Sequence, residues 1–352
     1  MNLCLTNFQK KLCNVLQEGL PICPRPFAEI AKVLNADEMD VLQQISRLKK
    51  LGVIRRICAL MNHRALGMTS TLVAAHVPQE SLKKVAEAIN SLANVSHNYQ
   101  RNHYYNLWFT LLASAAPQIE MTLADLSGRF GVDFHSLPVR RVFKLDARFD
   151  AQSQGRKLLQ GSPEISPLSP RLSAGVPRPL AGANKLVPVE INEDQKKVIS
   201  CLEDDLEVTA EPFAFLCSGG LQKEDVLRII TELMDKGVIR RVAAVVDHRK
   251  LGFVANVLFA CEVPQDRIVP VGQRLARLPI VSHCYDRQTF EGWPYNLFAM
   301  MHGQNMEQIE SAISKFTEAE AIDSFQLLPT EVELKKQPIK RRLTTENAEN
   351  AE

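Results

Sequence analysis

The stretch that decides the fold occurs twice in the chain. It reads LGVIRRICALMNHRALG at residues 51–67 and KGVIRRVAAVVDHRKLG at residues 236–252. A Val-Pro-Gln step follows each copy at a nearly equal offset, at residues 77–79 and 263–265. A repeat of roughly 150 residues is too long for a solenoid unit and has the size of a complete subunit. The sequence therefore predicts two fused and diverged copies of one subunit.

The composition excludes several classes of protein. Of the 352 residues, 45% are hydrophobic and 23% are charged, and a net charge of +2 gives no strong attraction to DNA or anionic membranes. No run of about 20 apolar residues predicts a membrane span, and the first residues lack a secretory signal. The eight cysteines include no Cys-x-x-Cys pair, which favours buried reduced thiols over metal ligands. We expect a cytoplasmic enzyme or regulator that does not contact a membrane.

Each copy divides into a helical part and an alternating part. In copy one, apolar residues at helical spacing predict three short helices, with Pro26 at the start of the second and Asp37 capping the third. A Val-Ile-Arg strand follows, which is typical of a winged helix-turn-helix. The alternating part predicts the order strand, helix, strand, strand, helix, strand. That order indicates an antiparallel sheet with helices on one face and the other face free for a partner or ligand.

These patterns predict an α+β protein made of two tandem copies of a winged helix-turn-helix followed by a ferredoxin-like βαββαβ sandwich. Between the copies, a Pro-, Gly- and Ser-rich stretch without apolar periodicity is typical of a linker. The polar C-terminal residues predict a disordered tail. The predicted segments are helix-turn-helix one (1–55), ferredoxin-like domain one (56–150), linker (151–189), helix-turn-helix two (190–240), ferredoxin-like domain two (241–336) and tail (337–352).

A second shared stretch carries polar side chains where a structural strand would carry aliphatic ones. It reads VSHNYQR at residues 95–101 and VSHCYDR at residues 281–287. Alternate side chains of a strand share a face, so His97, Tyr99 and Arg101 project together. The corresponding triplet of copy two is His283, Tyr285 and Arg287. Each triplet combines an acid/base group, a phenol and a fixed cation, which indicates a face that binds a ligand.

Together these motifs resemble a known family. A helix-turn-helix joined to a ferredoxin-like domain is similar to the Lrp/AsnC regulators over nearly all of each copy. The stretches HNYQRNHYYNLWF in copy one and HCYDR with GWPYNLF in copy two, with the shared GVIRR, resemble the siroheme decarboxylases in particular. The resemblance implies two related halves, here fused and paired with each other, that remove the carboxyls of two acetate side chains of siroheme. The implied product is 12,18-didecarboxysiroheme, on a route to haem b or to the haem of a nitrite reductase.

The implied substrate is an apolar macrocycle edged with carboxylates, so its site needs aromatic walls and several cations. Arginine suits carboxylates because its planar fork makes bidentate, charge-assisted hydrogen bonds. Adjacent residues of a strand face opposite ways, so each Arg-Arg pair is expected to offer one side chain to a common site. The predicted substrate-binding residues are Arg101, His283, Tyr285, Arg287, Arg55, Arg56, Arg240, Arg241, Tyr105 and Trp293.

Loss of carbon dioxide from an acetate leaves a carbanion equivalent that must be protonated. The macrocycle can act as the electron sink, so no cofactor beyond the iron tetrapyrrole substrate is expected. Histidine suits the proton transfer because its ordinary pKa is about 6.5. Copy one has His97 and His103 in one hairpin, whereas copy two keeps only His283. We predict His97, His103 and Tyr99 as catalytic, and an axial contact from histidine to the iron is the alternative role.

The additional histidine in the hairpin of copy one predicts catalysis in copy one. Copy two is predicted to have a structural role, and its Gly-Trp-Pro hairpin would cover the pocket. His63 and His248 lie in the repeated turn after the first strand and are predicted to be structural. The histidines without a counterpart in the other copy, His76, His135 and His302, are interpreted as incidental.

Two alternative functions come from other classes of protein. A DNA-binding regulator should present cations at the start of its recognition helix, but these helices begin DEMD at residues 37–40 and QKED at residues 222–225. DNA binding is therefore disfavoured, and the helix-turn-helix is interpreted as a scaffold. A tetrapyrrole sensor without catalysis is the second alternative. The fused halves could form a pseudo-dimer, and a higher homo-oligomer stays open.

Overall fold

The computed structural model describes residues 4–153, 155, 188–215, 220–337 and 339. The predicted linker and tail lie largely outside the described residues. Within the described part of the chain, no helix is both long enough and apolar enough to cross a membrane.

The first helical unit has the three helices that the sequence predicts. Thr6 starts it with a capping box, in which the Gln9 amide donates to the Thr6 side chain and the Thr6 amide donates to the Gln9 side chain. Pro26 occupies the first turn of the second helix, and the third follows Asp37, whose side chain makes no capping bond. The helices are α1 (Asn7–Glu18), α2 (Pro26–Leu34) and α3 (Glu38–Lys50).

The strand after each helical unit pairs with its counterpart in the other copy. β1 (Ile54–Met61) and the copy-two strand Ile239–Val246 form a two-stranded antiparallel sheet, which we call the ribbon. Gly52 and Gly237 adopt φ values of +66° and +71° at the turn before each strand, a conformation that favours glycine. The apolar side chains of both helical units pack into one core. The wing expected inside each copy is therefore a sheet shared between the copies.

The alternating part of copy one has the predicted order of strands and helices. This part has four strands, and their order across the sheet is second, third, first and fourth, which is the ferredoxin-like arrangement. Both helices cover the same face and bury apolar side chains against it. The elements are β2 (Thr69–Ala75), α4 (Gln79–Ser91), β3 (Val95–Arg101), β4 (Leu107–Ala113), α5 (Ala116–Phe130) and β5 (Phe134–Leu145).

Copy two repeats this arrangement. Its helical unit begins at Asn192 with a second capping box, and its sheet has the corresponding strand order. A short 3-10 helix, His248–Leu251, follows the ribbon strand. The elements are α6 (Glu193–Glu203), α7 (Lys223–Asp235), β6 (Ile239–Val246), β7 (Ala255–Cys261), α8 (Ile268–Arg277), β8 (Val281–Arg287), β9 (Leu297–Gly303), α9 (Met306–Glu320) and β10 (Phe325–Lys336).

The two sheets close into one eight-stranded barrel. β5 and β10 are each 12 residues long, and each pairs first with its own sheet and then with the other copy. The change occurs just after Pro138 and Pro329, which lack the N–H of a continuing ladder. The strand order β10-β3-β4-β2-β5-β8-β9-β7 returns to β10. The face predicted to be free for a partner or ligand is turned into the barrel, where it meets the sheet of the other copy.

Strand directions give both polar triplets the same orientation in this barrel, with the histidines toward one end and the arginines toward the other. β3 and β8 lie four strands apart, and because neighbours are antiparallel, the two strands run in the same direction. Their first residues therefore lie at one end, together with the last residues of β5 and β10. The ribbon joins the barrel here because β1 leads into β2 and β6 into β7. We call this end the ribbon end and the opposite one, where β3–β4 and β8–β9 are connected, the hairpin end.

Candidate active site at the ribbon end of the barrel

Each triplet forms a contiguous face inside the barrel. The Tyr99 ring lies 6.1 Å from the His97 ring and 5.3 Å from the Arg101 guanidinium. In copy two, the Tyr285 ring lies 6.2 Å from His283 and 4.8 Å from Arg287. The side chains at positions 97, 99 and 101 thus share a face, and so do those at positions 283, 285 and 287, as strand alternation predicts.

The two arginines of the triplets are buried charges. Arg101 and Arg287 are 3% and 9% exposed, and burial lowers the pKa of each to about 10. Arg101 Nη1 donates to the Leu328 carbonyl at 2.6 Å, and Arg287 Nη1 donates to the Leu137 carbonyl at 2.8 Å. Among the described residues, no carboxylate lies within 4.0 Å of either guanidinium, and neither Nε atom has a hydrogen-bond partner. A buried cation without an anion is costly, which indicates a site that awaits an anionic ligand.

The two histidines are held in the same way in both copies. His97 Nδ1 lies 2.7 Å from Ser96 Oγ, and His283 Nδ1 lies 2.8 Å from Ser282 Oγ. Burial lowers the pKa of His97 to about 3, with a further effect of Lys336, and the pKa of His283 to about 4. Both rings are therefore neutral at pH 7. A carboxylate placed beside them would raise their pKa, so an anionic ligand would promote the acid form.

The two phenols stay protonated at physiological pH. Burial and, to a smaller extent, Glu333 raise the pKa of Tyr99 to about 12. Burial also raises the pKa of Tyr285, although Arg287 and Arg240 oppose this effect. Each tyrosine can therefore donate a hydrogen bond to a carboxylate.

The ribbon carries two pairs of adjacent arginines, Arg55–Arg56 and Arg240–Arg241. The two side chains of each pair contact different residues. Arg55 Nη2 lies 2.9 Å from Asp247 Oδ2 and 3.6 Å from Glu333 Oε1, so it reaches the end of β10. Arg56 Nε donates to Cys58 Sγ at 3.2 Å.

In copy two, Arg240 Nη1 lies 3.5 Å from the carbonyl oxygen of Leu145 at the end of β5. Arg241 Nη2 lies 3.9 Å from Asp146, and burial lowers its pKa to about 10. Arg55 and Arg240 are therefore the members of the two pairs that face the ends of the long strands.

The structure places three of the predicted site residues at the hairpin end instead. Trp293 is 2% exposed and packs with Trp108 in the apolar cluster inside the barrel. The rings of Tyr105 and His103 each lie 5.6 Å from Trp293. His103 follows His97 by six positions, which is roughly 20 Å along an extended strand. The structure therefore separates His103, Tyr105 and Trp293 from His97 and His283, whereas Arg101, the last residue of β3, accepts a main-chain hydrogen bond from His103 at 3.0 Å.

Several residues at the site were missed by the sequence reasoning. Glu333 and Lys336 belong to copy two but pair with Tyr99 and His97 of copy one. His302, interpreted as incidental, is 5% exposed, and its Nε2 lies 3.1 Å from Ser282 Oγ, the same hydroxyl that contacts His283. Only the strand pairing reveals the first two residues. His302 gave no signal because the matching position of copy one is a leucine.

The protein itself offers little for binding a metal. Among the described residues, no group of three or more His, Cys, Asp or Glu side chains could hold a metal ion. Cys13, Cys58, Cys261 and Cys284 are buried free thiols, and burial raises the pKa of each. Either site histidine is neutral and could contact an iron that arrives with a ligand.

Comparisons with known proteins agree with this fold. A family model described as AsnC-like ligand binding domain matches residues 65–144 and 250–335, and one described as Siroheme decarboxylase NirDL-like HTH domain matches residues 9–55. The siroheme decarboxylase of Hydrogenobacter thermophilus is 32% identical over 333 residues, which cover 94% of this chain and 93% of the relative.

Solved structures extend the similarity to the whole architecture. A crystal structure of the siroheme decarboxylase NirDL has a TM-score of 0.70 at 29% identity and covers 96% of this chain and 94% of its own. A second crystal structure shows NirDL in co-complex with an iron-uroporphyrin III analogue. It has a TM-score of 0.69 at 29% identity and covers 95% of this chain and 94% of its own.

The fold and the site define a protein class with a helix-turn-helix and AsnC-like ligand-binding domains. In this protein two copies share a ribbon and a barrel, and the barrel interior holds two buried arginines. Within that class, the chain belongs to the siroheme decarboxylase family, because the similarity runs through nearly the full length of both chains.

Proposed function

We propose that this protein decarboxylates siroheme, removing two acetate carboxyls as carbon dioxide to form 12,18-didecarboxysiroheme. The family membership supports the reaction, and the relative NirDL has been crystallised with an iron-uroporphyrin III analogue. The observation that carries the proposal is the pair of buried guanidiniums, Arg101 and Arg287, which have no carboxylate within 4.0 Å among the described residues. A carboxylate-edged macrocycle supplies the anion that these cations require.

The residues of the two triplets have different roles in such a reaction. Arg101 and Arg287 bind substrate carboxylates, and Tyr99 and Tyr285 donate hydrogen bonds to them. As carbon dioxide leaves, the electron pair of the broken C–C bond passes into the macrocycle, and a proton then reaches the methylene carbon. His97 and His283 are the acids of the site. Substrate carboxylates raise the low pKa of each ring, so protonation accompanies binding.

The substrate is itself the electron sink, so the proposed reaction uses no further cofactor. The hairpin-end residues His103, Tyr105 and Trp293 have no role in this proposal, since they lie at the end of the barrel away from the proposed acids His97 and His283. An axial bond from a histidine to the iron is the alternative role, and it would require that ring to stay neutral in the complex.

The test is anaerobic incubation of the purified protein with siroheme, followed by mass spectrometry of the tetrapyrrole. We expect the substrate mass to fall by one and then two molecules of carbon dioxide. Siroheme that binds but is recovered unchanged would favour the sensor function instead. A specific, nanomolar shift of a promoter fragment would favour the regulator.

A further inference from the structure

The barrel interior has two polar faces, one for each copy of the repeat, and they differ in charge. The copy-one face consists of His97, Tyr99 and Arg101 with the β10 residues paired to them, and the copy-two face consists of His283, Tyr285 and Arg287 with the β5 residues paired to them. Glu333 is opposite Tyr99, whereas Val142 is opposite Tyr285. Lys336 is opposite His97, whereas Leu145 is opposite His283.

The repeated turn adds a second acidic difference. Asp247 of the DHR turn corresponds to Asn62 of the NHR turn. Arg55 Nη2 lies 2.9 Å from Asp247 and 3.6 Å from Glu333, and Lys336 Nζ lies 3.5 Å from Glu333. The side chains of Asp247 and Glu333 are each 17% exposed, so these contacts are shielded from water. Arg55, which borders the copy-one face, and Lys336 of that face therefore already have internal carboxylate partners.

The copy-two face lacks these internal anions. Burial raises the pKa of the Tyr285 phenol, and the guanidiniums of Arg287, Arg240 and Arg64 oppose this effect. Among the described residues, no carboxylate lies within 4.0 Å of Arg64 or Arg287. Asp146 raises the pKa of His283, but both of its carboxylate oxygens already accept hydrogen bonds from Arg148 Nε, at 2.8 and 3.1 Å. An incoming carboxylate would meet cations here without first displacing an internal acid.

We infer that the copy-two face binds the substrate carboxylates more tightly than the copy-one face does, because Glu333 and Asp247 weaken binding at the copy-one face. The inference rests on the proposed function for the identity of the substrate. It reverses the division of labour that the sequence suggests, in which copy two is only a structural partner. On the copy-one face, a ligand carboxylate would approach Glu333 and would have to break the pairing of Arg55 with two acids.

Arg64 and Arg249 form a matched pair for the first test, because they occupy the same position of the repeated turn. Arg64 lowers the pKa of Tyr285, and Arg249 lowers the pKa of Tyr99. The probe is iron uroporphyrin III, titrated anaerobically into the full-length protein and followed by its absorbance. We expect Arg64→Gln to weaken binding about tenfold, the effect of losing one charge-assisted contact, and Arg249→Gln to change it less than about threefold. Equal losses in the two variants would overturn the inference.

The second test removes the acids of the copy-one face. Asp247→Asn recreates the residue that copy one itself has at Asn62, and Glu333→Gln keeps the size of the side chain. The double variant is expected to bind iron uroporphyrin III about tenfold more tightly than the parent protein. Unchanged affinity, with a circular dichroism spectrum like that of the parent, would contradict the inference.

If the double variant does not fold, Glu333→Gln alone is measured, with the same expectation and the same contradicting outcome. These measurements follow binding and not turnover. A protein that fails to release carbon dioxide from siroheme would refute the proposed function while leaving the comparison of the two faces intact. Equal effects on both faces would refute this inference while leaving decarboxylation in place.

Discussion

Arg101 and Arg287 are the residues whose surroundings most restrict the function. Each guanidinium donates to a main-chain carbonyl and stacks near a tyrosine ring. Neither has a carboxylate within 4.0 Å among the residues that the structure covers. Removing such a charge from water costs several kcal/mol, so a purely structural role would normally include an acidic partner. These residues therefore favour a site that is completed by an anionic substrate.

Replacing either His97 or His283 with alanine tests the acid of the proposed reaction. We expect siroheme turnover to fall about 100-fold or more, the usual contribution of a positioned acid. Binding of iron uroporphyrin III should change much less, because the arginines remain. The measurements are single-turnover carbon dioxide release and an absorbance titration.

His103→Ala is the control for this experiment. His103 lies at the hairpin end, where its Nδ1 accepts from the Tyr105 amide at 3.0 Å. Turnover by this variant should match that of the parent protein. A loss as large as that of His97→Ala would return His103 to the catalytic group and would contradict the separation of the two ends.

At the scale of elements, the crossing strands β5 and β10 determine the character of each face. Each strand leaves its own sheet after a proline and places its last residues beside the triplet of the other copy. The two strands match at Pro138 and Pro329 but differ at Val142 and Glu333. A single side chain on a crossing strand thus alters the charge of a site that is formed mainly by the other copy.

Val142→Glu would give the copy-two face the acid that Glu333 supplies to the copy-one face. Val142 pairs with Tyr285, so the new carboxylate would lie near the cations that act on this phenol. We expect binding of iron uroporphyrin III to weaken about tenfold or more. Val142→Gln adds nearly the same bulk without charge and should weaken binding much less. Equal losses in both variants would indicate a steric effect only.

Trp293 tests the role of the hairpin end. Its side chain is 2% exposed and packs among apolar residues of the barrel interior. Trp293→Ala should lower the free energy of unfolding by about 3–5 kcal/mol, the usual cost of deleting a large buried aromatic side chain. The Michaelis constant for siroheme should stay within about twofold of the parent value, as expected for a residue outside the site.

The matching measurement is urea unfolding followed by circular dichroism, with steady-state kinetics of the same variants. Trp293→Phe keeps most of the apolar volume and should cost less stability. A stable Trp293 variant with a greatly raised Michaelis constant would instead support the loop as a cover for the substrate.

At the scale of the whole molecule, the ribbon end collects titratable groups that the empty protein holds neutral. Burial lowers the pKa of His97 and His248 to about 3 and that of His283 to about 4. In the unfolded chain these rings take up protons below pH 6.5, whereas in the folded protein they do not until the pH is near 4. Stability is therefore fully present above pH 6.5 and decreases as the pH falls toward 4.

The free energy of unfolding should consequently fall between pH 7.5 and pH 4.5. One such histidine contributes a slope of up to about 1.4 kcal/mol per pH unit in this range. His97→Gln should reduce the slope, as measured by urea denaturation at several pH values. Bound iron uroporphyrin III should reduce it as well, because its carboxylates stabilise the protonated rings. A slope that is the same in all three samples would contradict the lowered pKa values.

The sequence by itself determined the features that depend on near neighbours in the chain. The repeat, the three helices of copy one and the order of the alternating elements follow from apolar periodicity and from residues such as Pro26 and Gly52. The grouping of His97 with Tyr99 and Arg101 follows from strand alternation. These predictions agree with the structure because each depends on contacts within about ten residues.

Only the tertiary structure decided how the two copies meet. Lys336 pairs with His97 and Leu145 with His283, and no local pattern specifies such distant partners. Barrel closure therefore decided that Glu333 joins the copy-one face. The physical reason is that alternation within a strand is local and indicates which of its side chains share a face. Which residues of the other copy lie beside that face depends on how the two sheets pack against each other.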